Sequence, residues 1–129
     1  NEEGADNVES ILERSGKNEC IVFIHKINLL EVYYGIYREE NKLKADKEIG
    51  KIRKLPVTII DKIDDKVFKE AGRLKATYKI SIADSIALAE TKTRKAKIVT
   101  SDHHEFDGFN RIWRINWKML IFVFFYQDS

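Results

Sequence analysis

The chain has little of what holds small secreted proteins together and nothing long enough to cross a membrane. Its 129 residues include one cysteine, Cys20, so no internal disulfide can form, and no Cys or His stands beside it at zinc-ligand spacing. The longest apolar run, residues 119–126, has eight residues, against the roughly 20 that a membrane-spanning helix needs. No signal peptide is visible. We therefore expect a cytoplasmic protein with no membrane segment.

What is present is an ordinary globular composition, with 43% apolar and 34% charged residues and a net charge of +2. Short branched apolar runs alternate with segments of helical period, a pattern that predicts an α/β fold in which helices sandwich a parallel β-sheet. The predicted helices cover residues 5–15, 27–37, 43–55, 63–76 and 81–93, and the predicted strands cover residues 20–24, 57–60 and 97–100. We expect one domain over residues 1–129.

The second predicted helix is indicated by the spacing of its apolar residues. These residues are Ile27, Leu30, Tyr34 and Tyr37. Residues three or four apart lie on one side of a helix, so this spacing predicts a helix over residues 27–37.

Three acidic residues stand where charge is not expected. Glu31 and Asp84 lie in apolar helical segments with no basic residue four positions to either side, and Asp102 directly follows the third predicted strand. A carboxylate in apolar surroundings must find a compensating charge elsewhere, or its pKa rises until it is neutral. The carboxyl end of a parallel strand is also where α/β proteins bind ligands.

Two of these acids have an ordinary structural explanation as well. Ser81 followed three residues later by Asp84 resembles a helix capping box, and a Ser-Asp pair such as the one ending at Asp102 is common in turns. Three unpaired carboxylates together nevertheless favour a shared site. Their repulsion requires a cation, and an all-oxygen donor set suits Mg²⁺ or Mn²⁺. Such an ion can activate water and neutralise charge on a phosphodiester.

The segments around these acids carry a family resemblance. INLLEVYYG at residues 27–35, YKISIADSIALA at 78–89 and IVTSDHHEF at 98–106 resemble, in order and spacing, the acidic motifs of PIN domains, most closely the VapC-type toxin ribonucleases. The resemblance implies a Mg²⁺- or Mn²⁺-dependent endoribonuclease in which Glu31, Asp84 and Asp102 are catalytic metal ligands and Thr100 helps to orient the site. It also implies an RNA substrate, a homodimer and a VapB-like antitoxin.

The chain departs from the family pattern at the first motif, a central buried strand that ends in aspartate, for which this chain has no residues. The domain would then lack its first strand and helix. Residues 119–126, followed by Asp128, form an apolar β-prone run that ends near an acid. One hypothesis is that this run ascends in the vacant position and brings Asp128 to the other carboxylates. The favoured alternative is an ordinary final strand.

Other features remain open to two interpretations. His103, His104 and Glu105 are treated as peripheral to the metal site, and Trp113 and Trp117 as core or dimer packing rather than base stacking. The basic segments 38–54 and 92–97 are predicted to be solvated helix faces, with an RNA-binding groove as the alternative.

The function predicted from the sequence is therefore hydrolysis of RNA phosphodiesters with a divalent metal ion. The alternative is a catalytically inactive PIN-like module that binds RNA or a protein partner and keeps its acids as helix caps.

Overall fold

Helices and strands alternate through residues 10–99 and 124–128, the part of the chain that the structure, a computed structural model, describes. The helices are α1 (residues 10–16), α2 (Lys26–Glu39), α3 (Lys42–Arg53), α4 (Asp65–Thr77) and α5 (Ile82–Thr93). The strands are β1 (Cys20–His25), β2 (Thr58–Ile60), β3 (Lys97–Val99) and β4 (Phe124–Asp128).

Side chains fix where most of these helices begin. The side chains of Asn41, Asp64 and Ser81 accept hydrogen bonds from backbone N–H groups in the first turns of α3, α4 and α5, at 2.8, 2.9 and 3.0 Å. Such caps satisfy donors that have no partner inside the helix. Pro56, which lacks a backbone N–H, follows shortly after the end of α3.

The sheet confirms the α/β class, and it is mixed rather than wholly parallel. Its strand order is β2-β1-β4-β3. β1 and β2 are parallel, whereas β4 runs antiparallel to both of its neighbours, β1 and β3. β1, β2 and β3 therefore point the same way, and their carboxyl ends share one edge of the sheet.

β4 occupies a central position in the sheet, in the direction opposite to the one hypothesised. It pairs with β1 on one side and β3 on the other, so it does satisfy backbone groups of both neighbouring strands, as the vacant-position hypothesis required. The hypothesis that it ascends parallel to them is wrong. Residue 124 lies opposite Ile24 and Val99 at the carboxyl edge, and Asp128 lies opposite Cys20 at the other edge.

Helices cover the two faces of β1 with different contacts. Cys20, Val22 and Ile24 lie in the core with apolar side chains of α1, α2 and α3. Phe23 points the other way, stacks on Phe125 of β4 with ring centroids 5.3 Å apart, and lies beneath Arg94 just beyond α5. Because both faces of β1 are covered, its sequence is apolar at nearly every position instead of alternating.

The structure confirms the predicted helix at α2, whose buried face does not include its large exposed residues. Leu30, Tyr34 and Tyr37 are about half exposed. The residues that face the interior are Asn28, Leu29, Val32, Gly35 and Ile36. The helix contacts β1, α3 and α5, and its buried face includes an asparagine.

Candidate active site

Glu31 is carried to the carboxyl edge of the sheet by the connection between β1 and α2. The helix begins at Lys26, directly after the last residue of β1, so its first turns lie at that edge. His25 caps it: its Nδ1 accepts the N–H of Ile27 at 3.2 Å, which leaves the ring proton on Nε2, 3.1 Å from the carbonyl oxygen of Lys62. Glu31 is the sixth residue of this helix and is partly buried.

Asp84 reaches the same edge from the opposite direction along the chain. α5 leads into β3, so its amino end lies near the carboxyl end of that strand. Asp84 is the third residue of α5, and its backbone N–H donates to Ser81 Oγ. The predicted capping role of Ser81 is thus confirmed. A negative charge in the first turn is also favoured by the helix dipole.

The two carboxylates are close enough to affect each other electrostatically. Burial raises the pKa of Glu31 above its ordinary value of 4.5, and the negative charge of Asp84 raises it further. Within the part of the chain that the structure describes, neither carboxylate has an ion pair with a basic side chain. Among the described residues, the site therefore joins two acids from different helices with no basic side chain paired to either.

This repulsion gives the metal-free protein a testable pH dependence. Because the pKa of Glu31 is higher in the folded state than in the unfolded state, ionisation favours unfolding, and stability falls as the pH rises through 4.5 to the raised folded pKa. We expect Glu31→Gln to unfold at a higher urea concentration than the natural protein at pH 7 in EDTA. The difference should vanish at pH values below 4.5. Equal urea midpoints at pH 7 would contradict the placement of these acids.

Asn28 is a buried polar residue of this site that the sequence analysis missed. Its side chain is 1% exposed, and its Nδ2 donates to the carbonyl oxygen of Ala83, beside Asp84, at 3.4 Å. In the described part of the chain its Oδ1 is buried and has no hydrogen-bond partner. An orphaned acceptor of this kind costs about 1–3 kcal/mol. An asparagine one helical turn before Glu31, within an apolar stretch, was the signal available in the sequence.

Several predicted site residues fall outside the described residues. These are Thr100, Asp102, His103, His104, Glu105, Trp113 and Trp117. The roles assigned to them in the sequence analysis stay predictions.

Asp128 does not join the carboxylates. It lies at the far end of β4, about 13 Å along the strand from residue 124 at a rise of roughly 3.3 Å per residue. There it forms an ion pair with Arg14, the reverse of the arrangement hypothesised from the sequence. The hypothesis is wrong because the strand runs the other way.

The donor chemistry fits a hard divalent cation, although the described residues supply only part of a site. Two carboxylates and one unpaired amide oxygen are the kinds of ligand that Mg²⁺ and Mn²⁺ prefer. Among residues 10–99 and 124–128, no group of three or more His, Cys, Asp or Glu side chains is placed to hold a metal ion. Cys20 offers no alternative chemistry, because burial raises the pKa of its thiol.

Much of the charge in the basic segments is paired with acids. Lys42 binds Asp46, and Lys44 and Lys51 both contact the buried carboxylate of Glu48. In the second segment, Lys92 contacts Glu70 and Arg94 contacts Glu90. These contacts favour the interpretation of both segments as helix faces with their own acidic partners.

The fold and the acidic pair together define an α/β protein with a carboxylate site at the carboxyl edge of its sheet. The sequence profile of the PIN domain matches residues 1–112, and the chain belongs to the PIN-domain family. Searches of curated proteins and of solved structures find no match. PIN domains are generally nucleases, and those nucleases generally use divalent metals. None of the described helices is both long and apolar enough to span a bilayer.

Proposed function

We propose that this PIN domain is a VapC-like endoribonuclease that hydrolyses RNA phosphodiesters with Mg²⁺ or Mn²⁺ held by Glu31, Asp84 and Asp102. One observation carries the proposal. Carboxylates from α2 and α5 lie together at the carboxyl edge with no basic partner among the described residues, and the charge of one raises the pKa of the other. Such an arrangement is unfavourable in the metal-free state, and a bound divalent cation would relieve it.

The residues of this chain would act by holding and orienting that ion. It would supply an activated water and offset the charge that develops on the phosphodiester. Ser81 fixes the start of α5 and hence the backbone of Asp84, while the His25 cap fixes the start of α2 and hence the helix that carries Glu31. Because both helix ends are held by side-chain hydrogen bonds, the two carboxylates are positioned by rigid elements rather than by loops.

A Mn²⁺ titration tests whether the site binds metal. Binding to the folded state alone stabilises a protein by mass action, by about 2.7 kcal/mol at a concentration one hundred times the Kd. We expect Mn²⁺ to raise the urea midpoint of the natural protein and to have little effect on Glu31→Gln. The measurement is urea unfolding followed by circular dichroism at fixed ionic strength.

The control is a parallel titration with Na⁺ matched for ionic strength, since screening alone would also relax two like charges. Stabilisation by both salts to the same extent, or by Mn²⁺ equally in Glu31→Gln, would contradict a metal site. The protein would then fit the inactive module that binds RNA or another protein.

The proposal includes RNA as substrate, a VapB-like antitoxin and a homodimer as partners. Exposed apolar side chains support a protein partner: Ile63, Phe68 and Ile82 line a groove of about 500 Å³ between α4 and α5. Apolar surface of this kind is usually covered by protein rather than by the phosphate backbone of RNA. Lysines 69 and 75 lie at the same groove.

A further inference from the structure

The Asn28 side chain connects the two helices that carry the acidic pair. It lies on the buried face of α2, and its amide reaches α5 at Ala83, the residue before Asp84. Asn28 and Glu31 are three residues apart, so their Cβ atoms are about 5–6 Å from each other on one side of the helix. Asn28 therefore lies near Glu31 along α2. Its hydrogen bond to Ala83 also brings it close to Asp84 on α5.

The orientation of this amide follows from its single partner. A carbonyl oxygen can only accept, so the group 3.4 Å from Ala83 O must be the NH₂ of Asn28. Turning the amide over would place two acceptors against each other. Oδ1 is therefore the atom left without a partner in the described part of the chain, and it is shielded from solvent.

A buried acceptor without a donor destabilises the fold, so an explanation is needed for a polar residue on a face that is otherwise apolar. Ser85, a buried polar residue on the neighbouring helix, shows the contrast. Its hydroxyl is satisfied inside its own helix by the carbonyl oxygen of Ile82, at 2.6 Å. Among the described residues Asn28 Oδ1 has no such local partner, so a donor such as a water molecule bound in the site would satisfy it.

We propose that Asn28 is a positioning residue of the metal site, whose Oδ1 accepts a hydrogen bond from the hydration shell of the divalent ion while its Nδ2 holds α5 in place. The inference rests on the proposed function. Mg²⁺ and Mn²⁺ keep several waters in protein sites, and groups that hold those waters or the ligands contribute strongly to affinity. A neutral oxygen serves here because it adds no further negative charge to the pair formed by Glu31 and Asp84.

Two substitutions at this position give opposite expectations for stability and for metal affinity. Asn28→Leu removes the orphaned acceptor together with the long hydrogen bond to Ala83, so the urea midpoint of the metal-free protein should stay close to that of the natural protein, whereas Mn²⁺ affinity should fall by about 10- to 100-fold. Asn28→Asp keeps an acceptor, loses the same donor to Ala83 and adds a buried charge. It should lower the midpoint of the metal-free protein and bind Mn²⁺ more tightly than Asn28→Leu does.

The test measures both quantities on each variant: the urea midpoint in EDTA, and the Mn²⁺ dissociation constant from the electron paramagnetic resonance signal of free Mn²⁺. Opposite rank orders of the two variants support the proposal. If affinity follows stability, so that the less stable variant also binds more weakly, Asn28 has only a structural role and the proposal is overturned. Asn28→Ala replaces the leucine variant if the larger side chain prevents folding.

Two further variants separate failure of this inference from failure of the proposed function. Ser85→Ala is the matched control, a buried polar side chain next to Asp84 whose loss should leave Mn²⁺ affinity unchanged. Glu31→Gln should weaken Mn²⁺ binding whatever Asn28 does. If Glu31→Gln weakens binding and Asn28→Leu does not, the inference about Asn28 is wrong and the metal site stands. If neither weakens it, the proposed function itself is wrong.

Discussion

Asp84→Asn is expected to lower Mn²⁺-dependent RNA cleavage by about a thousandfold or more while the protein stays folded. A metal ion contributes several kcal/mol of transition-state stabilisation in hydrolases of this kind, and 4 kcal/mol corresponds to about a thousandfold in rate. Asparagine has the same shape as aspartate but carries no charge. Cleavage of a fluorescent single-stranded RNA, with and without EDTA, measures the effect.

The fold should survive this change for reasons that the structure supplies. The Asp84 backbone N–H, not its carboxylate, makes the capping hydrogen bond to Ser81. Losing the favourable position of the charge in the first turn of α5 costs roughly 0.3–1 kcal/mol, and losing its repulsion with Glu31 acts in the opposite direction. Ser85→Ala serves as the neighbouring control and should cleave normally. Undiminished cleavage by Asp84→Asn would rule out the metal-ligand role of this residue.

The sequence was sufficient to predict the elements of the fold because their boundaries are marked by local chemistry. Ser81 starts α5 as a capping residue does, and Pro56 follows the end of α3. The branched run at β1 is apolar throughout because both faces of that strand are covered. The carboxyl edge of the sheet was predictable too. A helix that follows a parallel strand begins at that edge, and a helix that precedes another parallel strand begins at the same edge.

The direction of β4 was not predictable from the same information. An extended strand has the same two-residue period whichever way it runs, and apolar side chains pack equally well in either direction. The hypothesis of a parallel strand, which was not the favoured interpretation, depended on where an aspartate stood in the chain. The structure instead places Asp128 beside Arg14, where a surface ion pair needs no special site.

The position of Asn28 shows a second limit. A sequence pattern assigns apolar residues to the buried face of a helix. A polar residue on that face therefore makes it look like an exposed one. The spacing of Leu30, Tyr34 and Tyr37 predicts the helix, but these three residues are about half exposed and do not mark its buried face. Which of two faces a helix buries depends on the three elements around it, and that information is tertiary.

A charge network around the buried Glu90, in the last turn of α5, gives the largest expected loss of stability. Glu90 of α5 is 2% exposed, and its carboxylate lies 3.5 Å from His25 Nε2 and 3.2 Å from Arg94 Nε. Arg94 in turn lies over the ring of Phe23, 4.7 Å from its centroid. The network therefore links α5 to His25, which both ends β1 and caps α2.

We expect Glu90→Ala to lower the free energy of unfolding by about 1–3 kcal/mol, because it opens a cavity and removes the acceptor of Arg94. The loss is limited because Arg94 is 35% exposed and His25 Nε2 keeps the carbonyl oxygen of Lys62. Glu90→Gln keeps the volume and can still accept from Arg94, so its loss should be clearly smaller. Glu70→Ala is the control, because its partners Arg73 and Lys92 are more than half exposed and can turn to water, and it should change little. Urea unfolding with an unchanged m-value measures all three.

Glu90 is expected to affect metal binding through His25, which it contacts and which caps the helix that carries Glu31. His25 keeps its N-cap bond to α2 only while Nδ1 is free to accept and Nε2 points toward Lys62 and Glu90. A loosened His25 would release the start of the helix that carries Glu31. Glu90→Gln should therefore weaken Mn²⁺ binding less than Glu31→Gln does and less than Glu90→Ala does. If Glu90→Ala unfolds at the same urea concentration as the natural protein, the network does not hold these elements together, and the two helices are positioned by their apolar contacts and the Asn28 hydrogen bond.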